Sequence, residues 1–243
     1  MLTHDRVLGA LGRVRDPELD ESITDLGFIH SVEIDGDAVT VALRVPTYYC
    51  APNFTYMMLA DAREALEDLP DVRHVRVAVV DHHASEELNA VAGAGGGFAA
   101  TFPGEIDPRE TDGDDLSGLR GIFRGKAFYA RTNRLCERLR EEGRTPRDLA
   151  EMRLADLPDW PETDVFLERR SELGLDTSPE APLLIAIDGR VIPPEEAEAH
   201  LRRARLFNLS LESNGEYCRS LLQFRYGLGR EGAASESSTS PRI

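Results

Sequence analysis

Lysine and cysteine are both scarce in this 243-residue sequence, which contains one lysine, Lys126, and three cysteines with no CxxC pair. Only 28 Lys and Arg residues stand against 44 Asp and Glu residues, so the formal net charge is −16. Nucleic acids and anionic membranes both attract basic surfaces, and this charge therefore argues against either as the main partner. Three widely spaced cysteines do not form a disulfide framework, so any chemistry at sulfur uses one thiol or thiols that folding brings together.

Long apolar runs and enzyme signatures are also missing. No stretch approaches the roughly 20 residues that a membrane-spanning helix needs. The opening MLTHDRVLGALGRVRDPE reaches charged side chains too soon for a secretory signal peptide, so we expect a cytoplasmic protein with no membrane partner. No Ser-His-Asp order, HExxH motif or paired-carboxylate signature indicates a hydrolase, and the sequence predicts a protein that is not an enzyme.

Residues 1–83 are strongly patterned. The patterns predict a helix capped by Thr3, a strand, a DGD turn at residues 35–37, a second strand, an amphipathic helix after Cys50 and a valine-rich strand. This α-β-β-α-β order predicts a small α+β domain with helices packed on one sheet.

The rest of the chain is less regular. Residues 84–115 are rich in Gly, Ala, Pro and Asp, and they predict a linker. A phosphate-binding loop is the weaker interpretation of its glycines, because no Lys-Ser/Thr pair and no helix follow directly. Residues 116–228 predict a mixed, mainly helical α+β domain, whereas the polar residues 229–243 predict a disordered tail.

Three features of the C-terminal domain follow from local patterns. PLLIAIDGRVI predicts a hairpin around Asp188 and Gly189. LFNLSLE, residues 206–212, alternates like a strand, and Asn214 is then placed to cap a last helix.

Cys50 lies where the second strand gives way to the following helix, whose first position suits Pro52. The unpaired N–H groups and the dipole of a helix start favour the thiolate, which is the form that attacks electrophiles and binds metals. A packed structural cysteine is the alternative, since a free cysteine behaves as a small apolar residue. The pattern alone leaves both interpretations open.

The N-terminal third resembles the iron-sulfur cluster assembly accessory domain, a family that includes the SufT and PaaD proteins. The resemblance covers roughly residues 4–82 and is carried by Asp16-Pro17-Glu18, Asp25-Leu26-Gly27 and the cysteine after the second strand, here Cys50. It implies the α-β-β-α-β fold and a role in maturing or inserting iron-sulfur or related iron centres in client proteins.

The chain also departs from the family pattern. The family often has Cys-Pro directly after the strand, whereas here Ala51 intervenes and two tyrosines, Tyr48 and Tyr49, precede the thiol. The Pro-Trp ending usual after the last strand is not found near DHHASEEL. These differences indicate a divergent branch with a narrower client, for which a multicomponent oxygenase is one candidate.

Acidic residues and a second thiol are the candidate partners of Cys50. Asp16, Glu18 and Asp25 are placed to form an acidic rim. Cys218 is predicted in the first turn of the last helix, where it would repeat the geometry of Cys50, and a packed thiol is the alternative. We therefore predict that Cys50, Cys218 and an acid such as Asp16 or Glu18 share iron or an iron-sulfur cluster, held transiently.

Other side chains near the thiol have two interpretations each. Asp25, like Asp16, is read equally well as a functional acid or as the cap of a short turn. Thr47 is a candidate hydrogen-bond donor to the sulfur or an ordinary strand-end residue. His82 and His83 are expected to be solvent-exposed, and Cys136 is expected in a core.

These observations predict a non-enzymatic accessory factor whose partners are a client apo-metalloprotein and the iron-sulfur assembly machinery. The C-terminal domain would recognise the client, and a homodimer is left open. One alternative is a chaperone-like module that stabilises an apo-oxygenase subunit without touching metal. An enzyme with Cys50 as nucleophile ranks last, because the neighbouring sequence offers only carboxylates as a general base.

Overall fold

The computed structural model describes residues 2–94, 97–102 and 116–227. In chain order the elements are α1 (His4–Leu11), β1 (Ile29–Asp35), β2 (Ala38–Arg44), α2 (Pro52–Glu67), β3 (His74–Val80), α3 (Ser85–Ala94), α4 (Phe98–Thr101), α5 (Ser117–Glu141), α6 (Pro146–Glu151), α7 (Pro161–Glu172) and α8 (Ala197–Tyr226). The predicted α+β class and the α-β-β-α-β order of the N-terminal part are confirmed.

A three-stranded sheet in the order β1-β2-β3 forms the N-terminal layer. The antiparallel β1–β2 pair turns through two residues at the predicted DGD, where Gly36 has a φ of +61° that favours glycine. Strands β2 and β3 are parallel, and α2 makes the connection between them. Because both strands point the same way, the segments that follow them meet at one edge of the sheet.

Part of the predicted linker is helical. Within residues 84–115, α3 and α4 cover the sheet, and Leu88 and Phe98 are fully buried in the N-terminal core. Arg63 of α2 donates a hydrogen bond to the carbonyl of Ala92 at the end of α3. The interpretation as a linker was wrong here because Ala84, Leu88 and Val91 recur at helical spacing within a glycine-rich stretch. Residues 103–115 and the predicted disordered tail lie outside the described residues.

The C-terminal part is mainly helical, with one long helix at its end. The predicted strand at residues 206–212 is wrong: it lies inside α8, where Ala204, Asn208 and Leu211 are buried at helical spacing. Asn214 is consequently an interior residue of α8 and not its cap. Asp188 and Gly189 do form a tight turn, but the flanking chains make only an isolated bridge in place of a hairpin.

Helix α8 joins two hydrophobic cores. Its first turns pack with α5, α6 and α7 through Leu201, and its last turns pack into the N-terminal core through Leu222. The 30 residues of α8 span about 45 Å, enough to cross both units. The division into two separate domains therefore stays a proposal. Of the helices in the described ranges, none combines the length and the apolar character that a membrane crossing requires.

A buried ion cluster also joins the two units. Asp20, which is 4% exposed, follows α1 and has a φ of +52°, a conformation that Asp tolerates better than most residues. Arg131 of α5 approaches one carboxylate oxygen of Asp20 at 2.5 Å, and Arg169 of α7 pairs with the other at 3.0 Å. Arg15 donates to the Asp20 carbonyl oxygen. Asp20 thus binds arginines from both units, two through its carboxylate and Arg15 through its carbonyl oxygen.

We expect Asp20→Asn to destabilise the protein by about 3 kcal/mol, because it removes the carboxylate that pairs with the partly buried Arg131 and one of those that pair with Arg169. Asparagine keeps the shape and the backbone preference of aspartate, so the loss reports on charge. Urea unfolding followed by circular dichroism measures it. Glu151→Gln is the matched control, since its exposed pair with Arg147 should contribute less than about 1 kcal/mol. Equal losses in the two variants would contradict the role of the cluster.

Candidate functional site

Cys50 lies in a turn at the sheet edge where β2 and β3 both end. The backbone N–H of Thr47 donates to the Cys50 sulfur at 3.4 Å, and the Thr47 hydroxyl lies at the same distance from it. Helix α2 begins at Pro52, two residues later, as predicted. The sulfur is partly exposed, so it is held in place while it remains open to an incoming partner.

The His82 side chain holds the Cys50 turn in place through hydrogen bonds. Its Nε2 donates to the Cys50 carbonyl oxygen at 2.8 Å, and its Nδ1 accepts from the N–H of Ala84. This pair of bonds requires the neutral imidazole with its proton on Nε2. Burial lowers the pKa of His82, which favours the same form. The expectation of two exposed histidines was therefore wrong for His82, which is 3% exposed, and confirmed for His83. The parallel pairing of β2 and β3, which is not visible in a local pattern, brings His82 to Cys50.

Two tyrosines form an aromatic rim beside the thiol. Tyr48 and Tyr49 pack edge to face, with ring centroids 5.1 Å apart, and Tyr49 also packs against His83. The Tyr48 carbonyl accepts from the backbone N–H of His83, which ties the rim to the end of β3. Tyr49 is 77% exposed, so this rim is available for contact with another molecule.

The acidic loop, residues 16–27, carries the carboxylates that lie near Cys218. Asp16 accepts hydrogen bonds from the N–H groups of Glu18 and Leu19, so it caps a turn as one of its two interpretations predicted. It is also buried, and burial raises its pKa to about 6. Asp25 is exposed on the same loop, and its carboxylate accepts no hydrogen bond from the described residues. The turn-cap interpretation thus fits Asp16 and not Asp25.

Helix α8 lies directly over the acidic loop. A Cβ atom at Gly27, which has a φ of +75°, would lie 3.4 Å from the side chain of Leu222, and one at Gly215 would lie 2.9 Å from a Glu21 carboxylate oxygen. Arg219 pairs with the same Glu21. The contact at Gly27 is of ordinary van der Waals length, whereas a side chain at Gly215 would displace the Glu21 carboxylate.

The contact between α8 and the acidic loop places Cys218 near Cys50. Cys218 interacts electrostatically with Cys50, Asp16 and Glu18, although these residues lie far from it in the sequence. Its position in the first turn of a helix was wrong, because α8 starts 21 residues earlier and no helix start stabilises its thiolate. Burial, and then the negative charge of Asp16, Cys50 and Glu18, raises the pKa of Cys218 to about 12.

Cys218 is therefore a neutral thiol near pH 7 until a positive charge arrives. A bound cation would displace its proton, which makes binding at this thiol stronger as the pH rises. Within the described ranges, no three His, Cys, Asp or Glu side chains lie close enough together to hold a metal ion. Cys136 is buried in the C-terminal core, as predicted, and burial raises its pKa to about 12.

Comparison with known proteins explains the N-terminal geometry. A family model described as iron-sulfur cluster assembly protein matches residues 4–79. A Bacillus subtilis protein named Fe-S protein maturation auxiliary factor YitW is 33% identical over 76 residues, which cover 31% of this chain and 74% of that relative. This chain belongs to the iron-sulfur cluster assembly protein family.

Two further relatives extend the comparison. An uncharacterized protein of Methanocaldococcus jannaschii is 36% identical over 90 residues, covering 37% of this chain and 93% of the relative. An iron-sulfur cluster carrier protein of Synechocystis is 38% identical over 79 residues, which are 32% of this chain but only 22% of the carrier. The family match ends before α3, so it leaves the role of α5 to α8 and of Cys218 unassigned.

Asp16 makes the stability of the protein depend on pH. Its pKa is about 6 in the folded protein and 3.8 in a free chain. Between these values the unfolded chain loses its proton while the folded chain keeps it, so the free energy of unfolding falls as the pH rises. Above pH 6 the loss is complete, on the order of 3 kcal/mol.

Asp16→Asn should remove this loss, because an amide oxygen accepts the same two hydrogen bonds without a buried charge. We expect the variant to be more stable than the wild type by about 2 kcal/mol at pH 7.5 and to match it near pH 4. Thermal melts across this pH range measure the difference. Asp25→Asn, on the exposed part of the same loop, should show no such dependence. A gain that does not change with pH would contradict the buried-charge account.

Proposed function

We propose that this protein is an accessory factor that receives an iron-sulfur cluster, or a related iron centre, at Cys50 and passes it to a client apo-protein. The observation that carries the proposal is that α8, outside the family domain, brings Cys218 near enough to Cys50, the cysteine of that domain, for the two to interact electrostatically. The names of the relatives, a maturation factor and a cluster carrier, support the same role.

The geometry supports transient holding in preference to storage. Cys50 and Cys218 supply two sulfurs on one side, and the described residues offer no complete set of ligands. The cluster is therefore cargo whose remaining ligands come from the donor or the client. Asp16 and Glu18 place negative charge beside Cys218, which attracts a cation and disfavours the Cys218 thiolate once the cation has left.

Each remaining site residue has a part in this scheme. Thr47 orients the Cys50 sulfur through the 3.4 Å contacts, and the exposed Asp25 extends the acidic surface toward the assembly machinery. The aromatic rim of Tyr48 and Tyr49 contacts the client. The C-terminal helices recognise the client, for which a multicomponent oxygenase subunit is one candidate.

A test compares the wild type with Cys50→Ser, Cys218→Ser and the control Cys136→Ala. Each protein is incubated anaerobically with ferrous iron and sulfide, assayed for bound iron and sulfide, and mixed with a purified apo-[4Fe–4S] enzyme whose recovered activity reports transfer. We expect Cys50→Ser to lose most of the transfer and Cys218→Ser to lose part of it. Cys136→Ala should transfer like the wild type, because that thiol lies in a separate core.

Thermal melts of the same variants separate chemistry from folding. Cys50→Ser replaces a partly exposed sulfur by oxygen, so the melting temperature should change by only a few degrees. Full transfer by Cys50→Ser would rule out the thiolate role. A large fall in its melting temperature would instead indicate a packed structural cysteine.

A module that stabilises an apo-client without touching metal is the second candidate. The lack of a complete ligand set among the described residues favours it. It predicts that the wild type binds no iron or sulfide and that Cys50→Ser still protects an apo-oxygenase subunit from aggregation. Iron and sulfide bound by the wild type and lost in Cys50→Ser would reject it.

A further inference from the structure

Helix α8 carries apolar side chains on the face that points away from the protein. Leu206 is 69% exposed, Leu209 46%, Tyr217 66% and Phe224 91%. A soluble helix normally keeps its solvent face polar, so large apolar side chains there indicate a missing partner.

These side chains form one continuous stripe. Positions 206, 209, 213, 217, 220 and 224 are three or four residues apart, and at 3.6 residues per turn they lie within about 60° of one line along the helix. The remaining two positions are the exposed Ser213 and Ser220, which are small enough for a second helix to approach. The buried residues Ala204, Leu211 and Leu222 lie on the opposite side of α8. This outer stripe is independent of the site around Cys50.

The charges beside the stripe are arranged in two halves. Arg202, Arg203 and Arg205 flank its start, whereas Glu212 and Glu216 flank its middle, and all five are exposed. A second α8 running parallel would place like charges together. An antiparallel copy would place the basic half of each helix against the acidic half of the other, which is complementary.

We propose that the outer stripe of α8 is the contact surface of a homodimer in which two α8 helices pack antiparallel. A two-fold axis near Leu209 sets Arg202 of each copy opposite Glu216 of the other and Arg205 opposite Glu212. Leu209 then meets its own counterpart, as a symmetric interface requires. Phe224 falls beside the segment that precedes α8 in the other copy, where Val191 is exposed.

The available area suits a dimer of ordinary size. Tyr217 and Phe224 alone can bury roughly 300–500 Å², about half of the roughly 800 Å² that each subunit of a specific dimer contributes. Leu206, Leu209 and the arginine stems add to this area. Because Cys218 lies nine residues from the axis and off the stripe, the two Cys218 residues would be about 27 Å apart along the helices. Each copy therefore keeps a separate thiol site.

Sedimentation equilibrium on the full chain tests the proposal. We expect a dimer at micromolar concentration, with Leu209→Glu weakening association at least about tenfold because two carboxylates would meet on the axis. Ile122→Glu is the matched control, since it changes an equally exposed apolar residue on α5 and should leave the dimer intact.

Charge reversal tests the antiparallel register. Arg202→Glu and Glu216→Arg should each weaken the dimer, because both of its Arg202–Glu216 pairs become like-charge pairs. An equal mixture of the two variants should recover a heterodimer, since the pairs are then again of opposite sign. A wild type that stays monomeric, a dimer that Leu209→Glu leaves intact, or a mixture that fails to recover would each overturn the proposal.

Discussion

The close contact between α8 and the acidic loop is the constraint on which the rest of the structure depends. Glycine occupies both sides of the contact, Gly27 on the loop and Gly215 on the helix. With α8 on the loop, Leu222 enters the N-terminal core and Cys218 comes near Cys50. A larger residue at Gly215 would displace the Glu21 carboxylate, which pairs with Arg219 of the same helix.

Burial and negative charge act together on the Cys218 thiol. Burial, and then the charge of the acidic loop, raises the pKa of Cys218 and keeps that thiol neutral when no cation is present. The same charge would attract a cation and stabilise it once the proton has left. Under the proposed function, such a site would bind its cargo only conditionally. Stable storage would require more ligands than the described residues bring together.

The C-terminal helices are anchored on the N-terminal unit. Asp20 pairs there with Arg131 of α5 and Arg169 of α7. Helix α8 then continues across both cores. Its inner face packs on the acidic loop and carries Leu222 into the N-terminal core, whereas its outer stripe remains exposed.

The sequence by itself determined the N-terminal fold and the position of Cys50. Periods of two and 3.6 residues, the glycine turn at Gly36 and the family motifs are all local, so they could be recognised along the chain. The local pattern gave a wrong prediction in two segments where tertiary packing decides the conformation. Residues 206–212 alternate like a strand but belong to α8. The glycine-rich stretch after β3 was predicted as a linker but contains α3. Only the tertiary structure decided those segments, because burial against a distant surface selects between two local conformations.

The same distinction applies to the site. A site shared by Cys50 and Cys218 stays a prediction, and the helix start at which Cys218 was expected does not exist. His82, Asp20 and the glycine contact were not predicted, because their partners lie far away in the chain; Arg219 and Glu21, for example, are 198 positions apart. No local pattern encodes such a pair. The sequence places Cys50 after β2, and the packing of α8 on the acidic loop decides which residues lie near it.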